Sequence, residues 1–183
     1  MEQTTIEAAA AAAAAAAEAD IKGILLQHIK QNPGIRYREL LRLAGVVNGV
    51  LTYHLAALEK LDVIKVDRQA RMTRYYPVSV SDKESAVLKY VRHEPVRQIV
   101  LFMLDHNLCT FNEIIDHTGK APSTVSSHLK RLKQDGIITV RYGEHYQLYR
   151  LADRELVAEV LSKYRASFAD RVVDNYVDLM EEL

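Results

Sequence analysis

Two stretches of this chain combine short hydrogen-bonding side chains with cations at helical spacing. Residues 122–134 place Ser123, Thr124, Ser126, Ser127, Lys130 and Arg131 around an apolar stripe of Val125, Leu129 and Leu132. With that stripe inward, the helical period puts Ser123, Ser126, Ser127, Lys130 and Gln134 on the far side and Arg131 at its flank. Residues 48–61 have the same frame with other chemistry. Leu51, Leu55 and Leu58 form the stripe, Asn48 opens the run, and Gly49, Thr52, Tyr53, Ala56 and Lys60 face outward. Small hydroxyls allow close approach and the Lys and Arg side chains reach negative charge, which suits a polyanion with polar edges; a merely solvated face has the same composition. Arginines follow each stretch, Arg68, Arg71 and Arg74 after the first and Arg141 after the second.

The two stretches are copies. Shifting the chain by seventy-four residues superposes Glu39 on Glu113, Gly45 on Gly119, His54 on His128, Leu58 on Leu132, Ile64 on Ile138 and Tyr75 on Tyr149 without a gap. Two copies are too few for a solenoid, so each unit should hold its own core. In the first, an apolar helical run through Ile21, Ile24, Leu25 and Ile29 stops at Asn32-Pro33-Gly34, and a short helix over 37–43 ends at Gly45. The third helix follows, and then a hairpin whose polar tip is Arg68 to Arg71. In the second, Thr110 and Glu113 are spaced as a capping box and Pro122 suits a first turn. Gly136 closes the third helix, and a hairpin turns at Gly143-Glu144.

This order of helices and hairpin, with Val50-Leu-Thr-Tyr-His-Leu-Ala-Ala-Leu-Glu59 and Ser123-Thr-Val-Ser-Ser-His-Leu-Lys-Arg-Leu132, resembles the winged helix-turn-helix of ArsR and MarR-like transcription regulators. Two copies in one chain are similar to archaeal tandem regulators. The resemblance covers residues 21–151 and implies a mainly α fold with small β-hairpin wings. The third helix would lie in the major groove of double-stranded DNA, with the wings on phosphates or the minor groove. The expected contacts are Asn48, Thr52, Tyr53, Lys60, Arg68, Arg71, Arg74, Ser123, Thr124, Ser126, Ser127, Lys130, Arg131 and Arg141. Copy one is expected to rely on its wing arginines and copy two on its helix. The rival is a winged-helix adaptor that binds protein within a transcription assembly, because fold does not fix function.

The expected organisation is an alanine-rich extension over 1–19, winged helices over 20–80 and 95–151, a stiff linker helix over 81–94 opened by Ser81 and Glu84, and an amphipathic helix over 152–183. The formal net charge is zero, yet residues 20–77 carry ten basic against five acidic side chains and residues 95–151 seven against five. Both ends are acidic, which leaves the positive charge on the repeats. The run Ala8–Ala17 either extends the first helix backwards, capped by Thr4 and Glu7, or is an artificial segment; it carries no chemistry.

The one cysteine, Cys109, allows no internal disulfide and reads as a small buried residue. His54 and His128 fall about sixty degrees off the buried stripe, at the core rim, and donate a hydrogen bond there or touch a base. The remaining histidines show no paired spacing on one face, so no metal is expected. No glycine-rich phosphate loop, nucleophile elbow or cofactor fingerprint is present, and no enzyme is expected. A signal peptide and a membrane-length apolar run are lacking, pointing to the cytoplasm. From Leu156 to Leu183 an apolar stripe recurs every three or four residues over about thirty, with a second through Val157, Leu161 and Val173. That length suggests a homodimer through the C-terminal helix, the alternative being a helix folded back on its own chain.

Overall fold

The computed structural model describes residues 2–69, 72–143 and 146–168, with residues 2–15 and 17 by backbone alone. The chain divides into two compact units between Val80 and Ser81.

The first unit opens with α1 (Glu2–Gln31), which takes in the whole alanine run and so places Thr4 inside the helix rather than at its cap. Then come β1 (Ile35–Arg36), α2 (Tyr37–Ala44), α3 (Asn48–Lys60), β2 (Ile64–Gln69) and β3 (Met72–Pro77). Gly45 ends α2 with φ 63°, a left-handed conformation that a side chain would strain. Leu25 and Ile29 from α1, Leu40 from α2 and the Leu51, Leu55 and Leu58 stripe of α3 close a core with Ile35, Ile64 and Tyr75 of the sheet. Truncating any of these leucines to Ala should cost about 2–5 kcal/mol.

The second unit repeats the plan in α5 (Glu94–Asp105), β4 (Cys109–Thr110), α6 (Phe111–Thr118), α7 (Pro122–Gln134), β5 (Ile138–Tyr142) and β6 (Gln147–Leu151), and adds α4 (Asp82–Val91) before and α8 (Arg154–Lys163) after. Both boxes form: Ser81 accepts from the Glu84 amide ahead of α4, and Thr110 from that of Glu113 ahead of α6. Gly119 repeats the left-handed cap at φ 60°.

The expected hairpins are each the larger part of a three-stranded antiparallel sheet, ordered β1-β3-β2 and β4-β6-β5. Two-residue strands have no period to betray them in a sequence. The duplication reaches the register, with Ile35 opposite Tyr75 as Cys109 is opposite Tyr149, and Val66 opposite Tyr75 as Val140 is opposite Tyr149.

Two expectations need correction. The helix taken as a linker, α4, packs on α5 and α8 within the second unit and buries Val87, Leu88 and Val91. The terminal helix is broken after Lys163, where Tyr164 leaves helical geometry at φ −108° and ψ 17°, and helix resumes over 166–168, the last described residues. The break occurs without proline or glycine, at a point held by tertiary contacts. Lys163 Nζ pairs with Glu84 at 2.6 Å, and the Tyr164 hydroxyl donates to the same carboxylate. Val157, Val160 and Phe168 are buried within their own unit, so the stripe is covered intramolecularly as far as it is described. Its continuation from Val172 to Leu183 lies outside the described residues. Among the described residues no single helix is long and apolar enough to cross a membrane.

Candidate nucleic-acid interface

α7 is built to show one face. Val125, Leu129 and Leu132 are sealed in the core, and Ser123, Thr124, Ser126, Ser127, Lys130, Arg131 and Lys133 are all exposed. Its C-terminal end is gripped from α4: the Tyr90 hydroxyl lies 3.1 Å from the Arg131 carbonyl oxygen and 2.7 Å from Asp135, and Lys89 Nζ pairs with Asp135 at 2.6 Å. Hydrogen bonds from Lys89 and Tyr90 hold the Asp135 carboxyl below the usual range, while burial first and Asp135 second push the Tyr90 hydroxyl up. Sequence reasoning missed this grip, whose only signal was acid and base far apart in the chain.

Beside α7, the start of α6 and the wing enclose an open groove of about 700 Å³, lined in part by Phe111, Ser126, Tyr142, Gln147 and Tyr149. Arg141 is exposed on the wing. Lys133 Nζ donates to the Tyr142 hydroxyl at 2.7 Å and lies 5.2 Å from the ring centroid, so helix and wing are joined through a cation that keeps its charge.

α3 shows the expected outward set, with Asn48, Gly49, Thr52, Tyr53, Ala56 and Lys60 all exposed. Its wing departs from expectation. Arg74 is 5% exposed and donates from Nη1 to the Gly34 carbonyl at 2.9 Å, tying the sheet to the end of α1. It is a structural residue of β3, buried on the central strand of its sheet together with Tyr75 and Tyr76. Arg68 is exposed but forked onto Glu59 at 2.6 and 2.5 Å, an arrangement that lowers the Glu59 carboxyl through hydrogen bonding and raises the guanidinium. Arg71 lies outside the described residues. A wing richer in free arginine than that of copy two is therefore not what the first unit offers.

Sequence reasoning also missed Tyr37. Its hydroxyl lies 2.6 Å from Asn48 Oδ1 and 2.8 Å from Thr52 Oγ1. The signal available was the repeat itself, since the matching residue is Phe111, with no hydroxyl.

His54 is 3% exposed, a core residue rather than a rim donor, and its buried Nδ1 has no partner among the described residues. His128 is half-buried with its ring 5.4 Å from His93, and burial lowers its pKa. His117 stacks on Phe102, and the His106 ring lies tilted against it. Cys109 is fully buried, which raises its thiol to about 11.

Known proteins agree with this geometry. Residues 94–140 match the profile of the bacterial regulatory protein, arsR family, and residues 19–88 match that of an N-terminal helix-turn-helix domain family. Each unit thus matches a helix-turn-helix family, and the two together have a tandem winged-helix architecture. An uncharacterized helix-turn-helix transcriptional regulator of Methanocaldococcus jannaschii is 29% identical over 119 residues, 65% of this chain. The chain spans 30% of the length of that relative. Among solved structures, HlyU from Vibrio cholerae is 28% identical and superposes over 45% of this chain and 86% of its own at a TM-score of 0.40. The repressor BigR from Xylella fastidiosa is 22% identical over 44% of this chain and 82% of its own, also at a TM-score of 0.40. With TM-scores below one half, these two add nothing to the family matches.

Proposed function

We propose that this chain is a sequence-specific reader of double-stranded DNA that regulates transcription in the cytoplasm, without catalysis or a cofactor. One observation carries the reading: the sealed stripe of α7 turns four hydroxyls and three cations together to solvent. Hydroxyls near base edges and cations on phosphates are the division of contacts that duplex recognition needs. The groove beside Ser126 gives a sugar-phosphate strand a place to lie between helix and wing. A protein-binding adaptor would want an apolar surface here, and the exposed face of α7 has none. On this reading α7 supplies most of the phosphate contacts through Lys130 and Arg131, and Arg141 adds one from its wing. In the first unit, Asn48, Thr52, Tyr53 and Lys60 face the groove, and Arg68 is available only if it leaves Glu59.

The assembly proposed is a homodimer through the C-terminal amphipathic segment 152–183, which would set four winged helices on a pseudo-palindromic site, with contact to the transcription machinery as a further partner. Anisotropy titrations of a random-sequence duplex over a range of salt test the first part. The expected result is an affinity that falls steeply and linearly on logarithmic axes, by about 0.9 per phosphate contact; no binding at low salt defeats it. Light scattering on the full chain and on a version ending at Phe168 tests the second, with a dimer becoming a monomer.

A further inference from the structure

The hydroxyl of Tyr37 has no counterpart in the second unit, and it sets the hydrogen-bonding polarity of α3. Its single hydrogen has Asn48 Oδ1 at 2.6 Å as its nearest acceptor, ahead of the Asn48 carbonyl oxygen at 3.1 Å. Thr52 turns its own hydrogen inward as well, to Tyr37 at 2.8 Å or to the Asn48 carbonyl at 3.0 Å. What remains facing out is determined by elimination. Asn48 keeps its Nδ2 donors, with no partner among the described residues, and Thr52 keeps an oxygen lone pair one turn along the same face. The exposed edge is therefore one donor beside one acceptor.

In the major groove guanine shows two acceptors, cytosine a donor, thymine an acceptor and a methyl group, and adenine alone an acceptor, N7, beside a donor, the N6 amino group. Resting on the DNA-binding reading above, we infer that the first unit reads an adenine, Asn48 Nδ2 donating to N7 and Thr52 Oγ1 accepting from N6, and that Tyr37 is the positioning residue that fixes this choice. Without the Tyr37 hydroxyl the Asn48 amide is free to turn over and Thr52 to donate outward, so the preference is lost while the helix still docks. The second unit lacks the device, because Phe111 and Pro122 stand where Tyr37 and Asn48 do. It supplies charge instead.

The test uses the full chain and the Tyr37→Phe variant, which should fold because Phe111 fills the same place in the repeat. Selection from random duplexes should return for the wild type an A·T pair that Y37F and Thr52→Val no longer prefer. Replacing that adenine by 7-deazaadenine, which lacks N7, should weaken the wild type about tenfold and leave Y37F nearly unaffected. The salt slope should be the same for both, since no phosphate contact is touched. A wild type that selects no adenine, or a Y37F protein that selects the same base with the same 7-deazaadenine penalty, overturns the inference and leaves the DNA reading intact. A wild type that binds no duplex at all overturns both.

Discussion

The two units place a helix-to-wing contact at equivalent positions and give it opposite electrical consequences. In the first, Glu59 of α3 meets Arg68 of the wing, and the two charges cancel. In the second, seventy-four residues on, Lys133 of α7 meets Tyr142, and the positive charge survives. The same contrast runs along the helices: Ala56 and Ala57 stand where Lys130 and Arg131 do. Where the first unit gives up charge it gains order, in the Tyr37, Asn48 and Thr52 cluster. On the proposed reading the duplicated fold is divided between a reader of base edges and a holder of phosphates. The second unit relies on its helix as expected, and the first on its helix rather than on its wing arginines.

The largest expected effect is on the holder. Lys130→Ala with Arg131→Ala should reduce the salt slope of duplex binding by about two and weaken affinity at moderate salt by one to two orders of magnitude. Lys60→Ala in the first unit should change the slope by about one at most. Equal slopes for the two proteins would break the division.

Next comes the neutralised wing. Glu59→Gln releases Arg68, so it should tighten duplex binding several-fold and steepen the salt slope by about one. Arg68→Ala in the wild type should change binding little. If E59Q binds no better, the ion pair is not what withholds Arg68.

The units should also differ in acid. Glu84 is held at about 2 despite a burial that opposes it, by the Lys163 ion pair and the Ser81 bonds. A folded pKa below the unfolded one stabilises above pH 4.5 and is lost as pH falls toward 2, in all up to about 3 kcal/mol. Melting curves followed from pH 6 down should show this loss in the second unit, and Glu84→Gln should flatten it. In the first unit Glu59 is lowered only at the surface, so E59Q should leave the acid profile unmoved.

The smallest effect concerns a cap. Thr110 and Glu113 box the start of α6, whereas Arg36 precedes α2 with no side-chain cap. Arg36→Thr should raise the melting temperature of the first unit, worth about 0.5–1 kcal/mol, and Thr110→Ala should cost the second a similar amount. Thermal unfolding of the two variants checks both.

What the sequence determined by itself is chiefly what repeats. The seventy-four-residue shift, the leucine stripes of α3 and α7 and the glycines at 45 and 119 follow from local spacing and local conformation, as do the two capping boxes of the second unit, which do not repeat. They were enough to define the winged helices and the outward faces of their third helices. What only the tertiary structure decided are pairings that link residues without a shared period. β1 and β4 are strands because β3 and β6 offer them hydrogen bonds. Arg74 is buried with its guanidinium on the Gly34 carbonyl, Arg68 is neutralised because α3 brings Glu59 to it, and the break after α8 falls where Glu84 meets Lys163 and Tyr164. A charge or hydroxyl can be counted in a sequence, but its availability to a partner depends on whether the fold has already satisfied it.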